Sequence, residues 1–433
     1  MRQDPRPPVD VTPSARRLTG SLRDIGYDFA AALADLVDNS VSAGASEVDI
    51  DIVFDGAASF VLIADNGNGM TEAELNEALR FGTRRGYELG QLGRYGLGLK
   101  TASISQCRRV TVVSRRSVNY RRVAAKSLDI DHIALTDRWE AIDPPTGSAI
   151  QRCIKWLADN PGTVVCWENL DRVLPENRPE GGWARRRLEQ LATRSSEYLG
   201  MVFHRFIEGE RTWATPLTIS VNGEKVRAWN PFAPLEDHRQ ELQAQSFEVS
   251  AGDLYGRVIL RCYVLPSRNR FSSIPEFERM SGPLKWNRQQ GLYIYRADRL
   301  IQHGGWCGIR APDEHTKFAR AALDFQTDLD PLFQINVSKM RVLIPPEVRT
   351  LLERPIHELC HRADATYRRD AEQEARRHAR VTGDGTPRAK PDASDLGTAL
   401  MAAALDAGEH QAFCRVMEKL RVLAPDVASA LGW

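Results

Sequence analysis

The chain has 433 residues, enough for two or three domains with full cores. Lys and Arg total 58 against 57 Asp and Glu, so no bulk positive charge drives nucleic-acid binding, and any such binding must use a local patch. Seven widely spaced cysteines without a CxxC make a poor zinc site and a poor disulfide framework, and they point to a reducing, cytoplasmic setting. The N-terminus MRQDPRPPVDVTPSARR lacks the apolar core of a secretory signal. No stretch nears about 18 consecutive apolar residues, so no membrane span is expected.

In chain order, residues 1–20 read as a polar, Pro-rich flexible arm without periodicity. Residues 25–43 carry apolar side chains at helical spacing and stop before Gly44. Val48, Ile50 and Ile52 alternate with Asp49 and Asp51, the pattern of a half-buried strand. The apolar run 60–64 ends in Asp65 and a glycine-rich turn. A helix then opens at Thr71, with Glu74 placed for a capping box. Residues 82–98 read as a long loop, 99–106 as a helix and 109–114 as a strand. Further strands are expected at 162–168, 217–221, 257–265 and 291–295, with a long helix over 183–207. Beyond 350 the chain reads as helical, with a linker at 382–394. Helix, two strands, helix, loop, helix, strand is the order of an α+β domain, not of alternating βαβ units.

Four short segments carry chemistry. In ADLVDNS, Asp35 and Asn39 lie four apart on one helix face. The carboxamide oxygen of Asn39 suits hard Mg2+, and Asp35 suits orienting and deprotonating a water. In DNGNGM, Asp65 ends a buried strand where it can accept from an exocyclic amine, and Gly67 and Gly69 let backbone pass close to a flat ring. In GRYGLGLKTAS, the glycines ahead of a helix leave N–H groups for phosphate, with Lys100 adding charge. Leu99 between Gly98 and Lys100, and the polar feed RFGTRRGYELGQL, rule out a P-loop. In GTVVCWENL, Thr163 opens a strand and offers a hydroxyl beside Asp65.

Each segment alone is a common turn or helix face, but their order and spacing resemble the four nucleotide boxes of the GHKL ATPases. That superfamily holds DNA gyrase B, the ninety-kilodalton heat-shock chaperones, sensor histidine kinases and MutL. Within it, GRYGLGLKTAS, GTVVCWENL and GLYIYRADRLIQHGGW (291–306) are similar to the Microrchidia (MORC) ATPases and their bacterial relatives. The resemblance implies a Bergerat-fold ATPase domain over 21–205, with helices layered on one face of a mixed sheet. It also implies an S5-like transducer over 206–350 and a helical region over 351–433.

The resemblance further implies ATP and Mg2+ as cofactors. Asn39 would be the metal ligand, and Asp65 the adenine acceptor in a pocket shaped by Gly67, Gly69 and Met70. Gly93, Gly96, Leu97, Gly98, Leu99 and Lys100 would hold the phosphates, and Thr163 would support the adenine end. Lys339, in FQINVSKMRVLIP, matches a lysine that reaches the γ-phosphate. Asp35 would be the catalytic base, although the family usually has Glu there, and one methylene less shortens the reach by about 1.5 Å. The implied activity is slow ATP hydrolysis by an ATP-gated homodimeric clamp acting on DNA or a DNA-bound complex. The alternatives are an ATP-binding switch with little hydrolysis and a chaperone-like ATPase acting on protein clients.

Overall fold

The computed structural model describes residues 12–24, 26–82, 98–117, 119, 122–174, 179–210, 215–251, 254–335, 342–381, 393–406 and 409–431. The chain parts into two units after Arg368. In the first unit the helices up to residue 210 are Ala15–Arg23 (α1), Phe29–Ser42 (α2), Glu72–Leu79 (α3), Gly98–Ile104 (α4), Ile130–Thr136 (α5), Ser148–Trp156 (α6), Gly182–Val202 (α7) and His204–Ile207 (α8). Seven strands accompany them: Glu47–Val53 (β1), Phe60–Asp65 (β2), Arg109–Arg115 (β3), Ala124–Asp129 (β4), Gly162–Glu168 (β5), Thr218–Val221 (β6) and Glu224–Lys225 (β7). They form one mixed sheet in the order β4-β3-β5-β2-β1-β6-β7, in which only β1 and β6 pair in parallel.

Alternation along the strands decides what lies on each face. Val48, Ile50, Ile63, Val165 and Trp167 turn towards one face, where Leu33, Leu36 and Val37 of α2 and Leu188, Leu191 and Leu199 of α7 cover them. Their alternates Phe60, Ala64, Val164 and Cys166 pack on the other face with Cys153 and Leu157, at and just after α6. The α+β class therefore stands, with most helices on one side and α6 on the other. The sheet also takes in β6 and β7, which lie beyond residue 205.

Two readings change. Residues 15–20, expected within an arm, belong to α1, where Ser14 Oγ accepts from Arg17 N–H at 3.3 Å. Ala15, Thr19 and Arg23, four apart, are its buried face, and Arg23 pairs with Asp171 at 2.6 Å. A stripe of Ala, Thr and Arg carries little hydropathy, so the pattern hides in sequence. The helix expected over 183–207 breaks at Phe203 into α7 and α8.

A second sheet comprises Gln240–Glu241 (β8), Gln245–Ala251 (β9), Leu254–Val264 (β10), Gly291–Arg296 (β11), Arg299–His303 (β12) and Ala319–Phe325 (β13). Its order is β12-β11-β13-β10-β8, with β9 also on β10. Helices Ile274–Met280 (α9), Lys285–Gln289 (α10), Asp330–Phe333 (α11) and Pro346–Val381 (α12) accompany it. Val348, Leu352, Ile356, Leu359 and Ala363 of α12 recur every three or four residues and pack on one sheet face with Val258, Leu260 and Leu323. On the other face an aromatic cluster includes Phe277, Trp286, Tyr293 and Tyr295.

The second unit holds helices Ala393–Asp406 (α13), His410–Leu423 (α14) and Pro425–Ala430 (α15). Its Ala428 is buried, whereas Val422 and Leu423 are exposed. The expected linker lies outside the described residues except for 393 and 394, which open α13. All seven cysteines are free thiols, and among the described residues no helix is long and apolar enough to cross a membrane.

Candidate functional site

Helix α2 starts where Asp28 accepts from Ala30 N–H at 3.0 Å, which sets its phase. That phase places Asp35 and Asn39 on one face, with Asp35 only 1% exposed. The Tyr27 hydroxyl donates to Asp35 Oδ2 at 2.9 Å, and Arg299 Nη2 lies 3.7 Å from Asp35 Oδ1. Burial first, and then the Asp35 charge, push the Tyr27 phenol well above its ordinary pKa, so it stays a donor. Asn39 Nδ2 is buried and makes no hydrogen bond among the described residues.

Asp65 sits at the end of β2, opposite Thr163 of β5. Its Oδ1 accepts from Gly67 N–H at 2.9 Å and its Oδ2 from Ser40 Oγ at 3.0 Å. The second bond joins the strand end to α2, one residue from Asn39. Burial raises the Asp65 pKa, and the bonds from Gly67, Ser40 and Thr163 partly offset this. Ser114 Oγ bridges 2.9 Å to Thr163 Oγ1 and accepts from Met70 N–H at 2.7 Å, tying three predicted segments together. Glycine is required at two points. Gly69 has φ +61°, and a Cβ there would stand 2.1 Å from the Arg115 carbonyl oxygen. At Gly67 a Cβ would stand 2.9 Å from both Ala43 Cβ and Asp65 Oδ1, filling the space beside the carboxylate.

Gly98 opens α4 close to Asp35, since a Cβ on it would lie 3.7 Å from Asp35 Oδ2. Leu99 is half-buried against the helix-covered core. Lys100 departs from the sequence expectation. Its ammonium is buried and donates to the Ala78 and Arg80 carbonyls at 2.8 and 2.7 Å, where α3 ends. The last carbonyls of a helix lack partners within it, and a cation there also opposes the helix dipole. Burial lowers the Lys100 pKa to about 8. Gly93, Gly96, Leu97 and Lys339 lie outside the described residues.

Asp35, Asn39, Asp65, Gly67, Gly69, Met70, Gly98 and Thr163 are thus brought to one end of the sheet, while Lys100 turns to α3. Sequence reasoning missed Arg299, whose Nε donates to Asp38 Oδ1 at 2.8 Å. Asp38 is fully buried in that ion pair. Nothing local marks Arg299, because its partners stand some 260 residues earlier. Tyr27 was legible only as an apolar helix residue. Among the described residues, His204, Glu208 and Glu210 have ligand atoms close enough for a metal. Asn230 Nδ2 already donates to Glu208 Oε2 at 2.8 Å and Glu210 Oε1 at 3.1 Å, and Arg205 Nε lies 3.7 Å from Glu210, so this chain's own donors satisfy those carboxylates.

Comparison with known proteins converges on the same segment. Residues 27–159 match the family described as "Histidine kinase-, DNA gyrase B-, and HSP90-like ATPase". The chain is 38% identical over 96 residues to Protein MICRORCHIDIA 5 of Arabidopsis thaliana, covering 20% of this chain and 14% of that protein. It is 27% identical over 282 residues to DNA mismatch repair protein MutL of Haemophilus influenzae, covering 63% of this chain and 39% of the relative. MutL of Shewanella woodyi is 41% identical over 91 residues, 20% of this chain and 15% of that protein. The chain therefore spans well under half the length of these relatives. With its buried acids gathered at the ends of α2 and β2, the segment 27–159 belongs to the histidine kinase-, DNA gyrase B- and HSP90-like ATPases, the GHKL superfamily.

Proposed function

We propose that the first sheet and its helices bind ATP with Mg2+ and hydrolyse it slowly, and that ATP closes the chain into a homodimeric clamp. The observation that carries this reading is the Ser40–Asp65 hydrogen bond of 3.0 Å, which holds the amine acceptor beside the face bearing Asn39 and Asp35. The residues fit the nucleotide. The Asp65 carboxylate accepts from Gly67, Ser40 and the Thr163 backbone, and its two oxygens carry about four lone-pair sites in all, which leaves capacity for an adenine amine. The space at Gly67 admits a ring edge that a Cβ would exclude.

Asn39 would give Mg2+ one neutral oxygen, with phosphates and water as the other ligands. When bound, the ion neutralises phosphate charge. Asp35 is the base that orients a water and takes its proton, with Tyr27 fixing the carboxylate plane. Gly98 and Leu99 begin the phosphate-binding helix, continuing Gly93, Gly96 and Leu97. Lys339, outside the described residues, is assigned the terminal phosphate by its sequence match alone, and the second sheet is assigned as an S5-like transducer. Lys100 is assigned instead to fastening the start of α4 to the end of α3.

Steady-state phosphate release with Mg2+-ATP tests the reading. We expect slow turnover, lost by at least about 100-fold in Asp35→Ala with nucleotide binding kept. Turnover unchanged in Asp35→Ala would remove Asp35 from the chemistry. One observation favours a second reading, an ATP-dependent switch with little hydrolysis. Asp35 is both shorter than Glu and engaged by Tyr27 and Arg299. Bound ATP with no phosphate release would select it.

The proposed target is DNA or a DNA-bound complex in the cytoplasm. Its support is the DNA mismatch repair role that the MutL relatives are named for, together with exposed Arg185 and Arg186 at the start of α7. Duplex DNA should shift in a salt-dependent way in the presence of a non-hydrolysable ATP analogue, and neutralising both arginines should weaken the shift. No shift at low salt would refute the DNA role.

A further inference from the structure

The hairpin β11–β12 turns through Ala297 and Asp298, whose φ values of +46° and +70° make a tight two-residue turn. Two buried arginines fix this tip, Arg296 to α11 of its own sheet and Arg205 from α8. Arg296 makes two 2.6 Å bonds to Asp330, and both residues are buried. Arg205 lies 3.3 Å from Asp298 and also pairs with Asp324 of β13. The tip nevertheless serves the other sheet, because Ala297 packs into the core under α2 and α7. The next residue but one, Arg299, is 1% exposed and points at α2.

There the guanidinium meets two acids of unequal closeness. Nε stands 2.8 Å from Asp38 Oδ1, and Nη2 stands 3.7 Å from Asp35 Oδ1. Two carboxylates three residues apart on a buried helix face would repel strongly without a cation between them. The asymmetry matters, since Asp38 takes the direct bond while Asp35 feels the charge without being clamped by it. A base gripped as tightly as Asp38 could not approach a water.

We propose that Arg299 is a positioning residue through which the second sheet regulates the base Asp35, anchoring on Asp38 and leaving Asp35 oriented to work. This rests on the reading of Asp35 as the base of ATP hydrolysis. A shift of the β11–β12 tip relative to α2 carries the guanidinium with it, so the rate at the first sheet depends on where the second sheet stands. The nucleotide is held by other residues, so the effect falls on turnover and not on affinity.

The test measures phosphate release and binding of a non-hydrolysable ATP analogue by the full chain and three variants. Arg299→Met should lower turnover by about 100-fold while affinity changes by less than about threefold, and Arg299→Lys should recover at least about tenfold of that loss. Asp38→Asn frees the guanidinium to close on Asp35 and should lower turnover by about tenfold, again at unchanged affinity. This variant carries the test if Arg299→Met does not fold. Wild-type turnover in Arg299→Met or Asp38→Asn, a loss residing wholly in affinity, or no rescue by Lys would overturn the regulatory role and leave the ATPase reading intact. A wild-type chain that binds the analogue but releases no phosphate from ATP would overturn both.

Discussion

The two sheets bury charge to opposite ends. Around the second sheet, the buried ion pair of Arg296 and Asp330 is closed on itself at two points. The nearby Arg320, fully buried among Trp229, Trp286 and Tyr293, is satisfied at two of its nitrogens by the Pro231 and Met280 carbonyls, while its Nε makes no hydrogen bond among the described residues. Around the first sheet, Asp65 and Asn39 keep hydrogen-bonding capacity at the sheet's end, and burial holds the Asp65 pKa up. Buried charge that is saturated braces a fold, whereas buried polarity with capacity left over marks a place for a ligand.

Breaking a saturated pair should cost most. Asp330→Ala leaves Arg296 buried without its carboxylate and should destabilise the chain by about 3–5 kcal/mol in denaturant unfolding. A loss below about 1 kcal/mol would mean that water reaches the pair. Gly69→Ala should cost about 1–3 kcal/mol, because alanine there is strained at φ +61° and meets the Arg115 carbonyl. Unlike Asp330→Ala, it should also impair nucleotide binding. Thr71→Ala removes the capping box of α3 and should cost about 1 kcal/mol, leaving binding untouched.

The smallest effect has the opposite sign. Asp65→Asn should raise the melting temperature slightly at neutral pH, since it removes a carboxylate whose ionisation burial opposes. Because the folded-state pKa is raised, the variant's advantage should grow as pH rises through that value and vanish below the ordinary carboxylate range. An advantage independent of pH would contradict the assignment. The substituted carboxamide can be accommodated, since Ser40 Oγ also donates to the Leu36 carbonyl and can accept from an amide.

Sequence carried the first sheet better than the second. Strands 109–115 and 162–168 and the Thr71 capping box are local patterns, and they emerged close to their expected bounds. Within the site, Asp35, Asn39 and Asp65 were legible because helical spacing and a strand end are local geometry. Helix α1 was not, its buried stripe being Ala, Thr and Arg. Glycines before a lysine suggest phosphate at Lys100, whereas its carbonyl partners at Ala78 and Arg80 depend on how α3 and α4 meet and have no local signature. Arg299 was invisible for the same reason on a larger scale, since its role exists only once the second sheet lies against α2.

The claim that the first sheet's leftover polarity is a nucleotide site is tested most directly by titrating the full chain with a non-hydrolysable ATP analogue and Mg2+ in a calorimeter, wild type beside Asp65→Asn. Saturable binding by wild type that is lost in a variant at least as stable is the predicted result. Equal binding by both, or none by wild type, would contradict it.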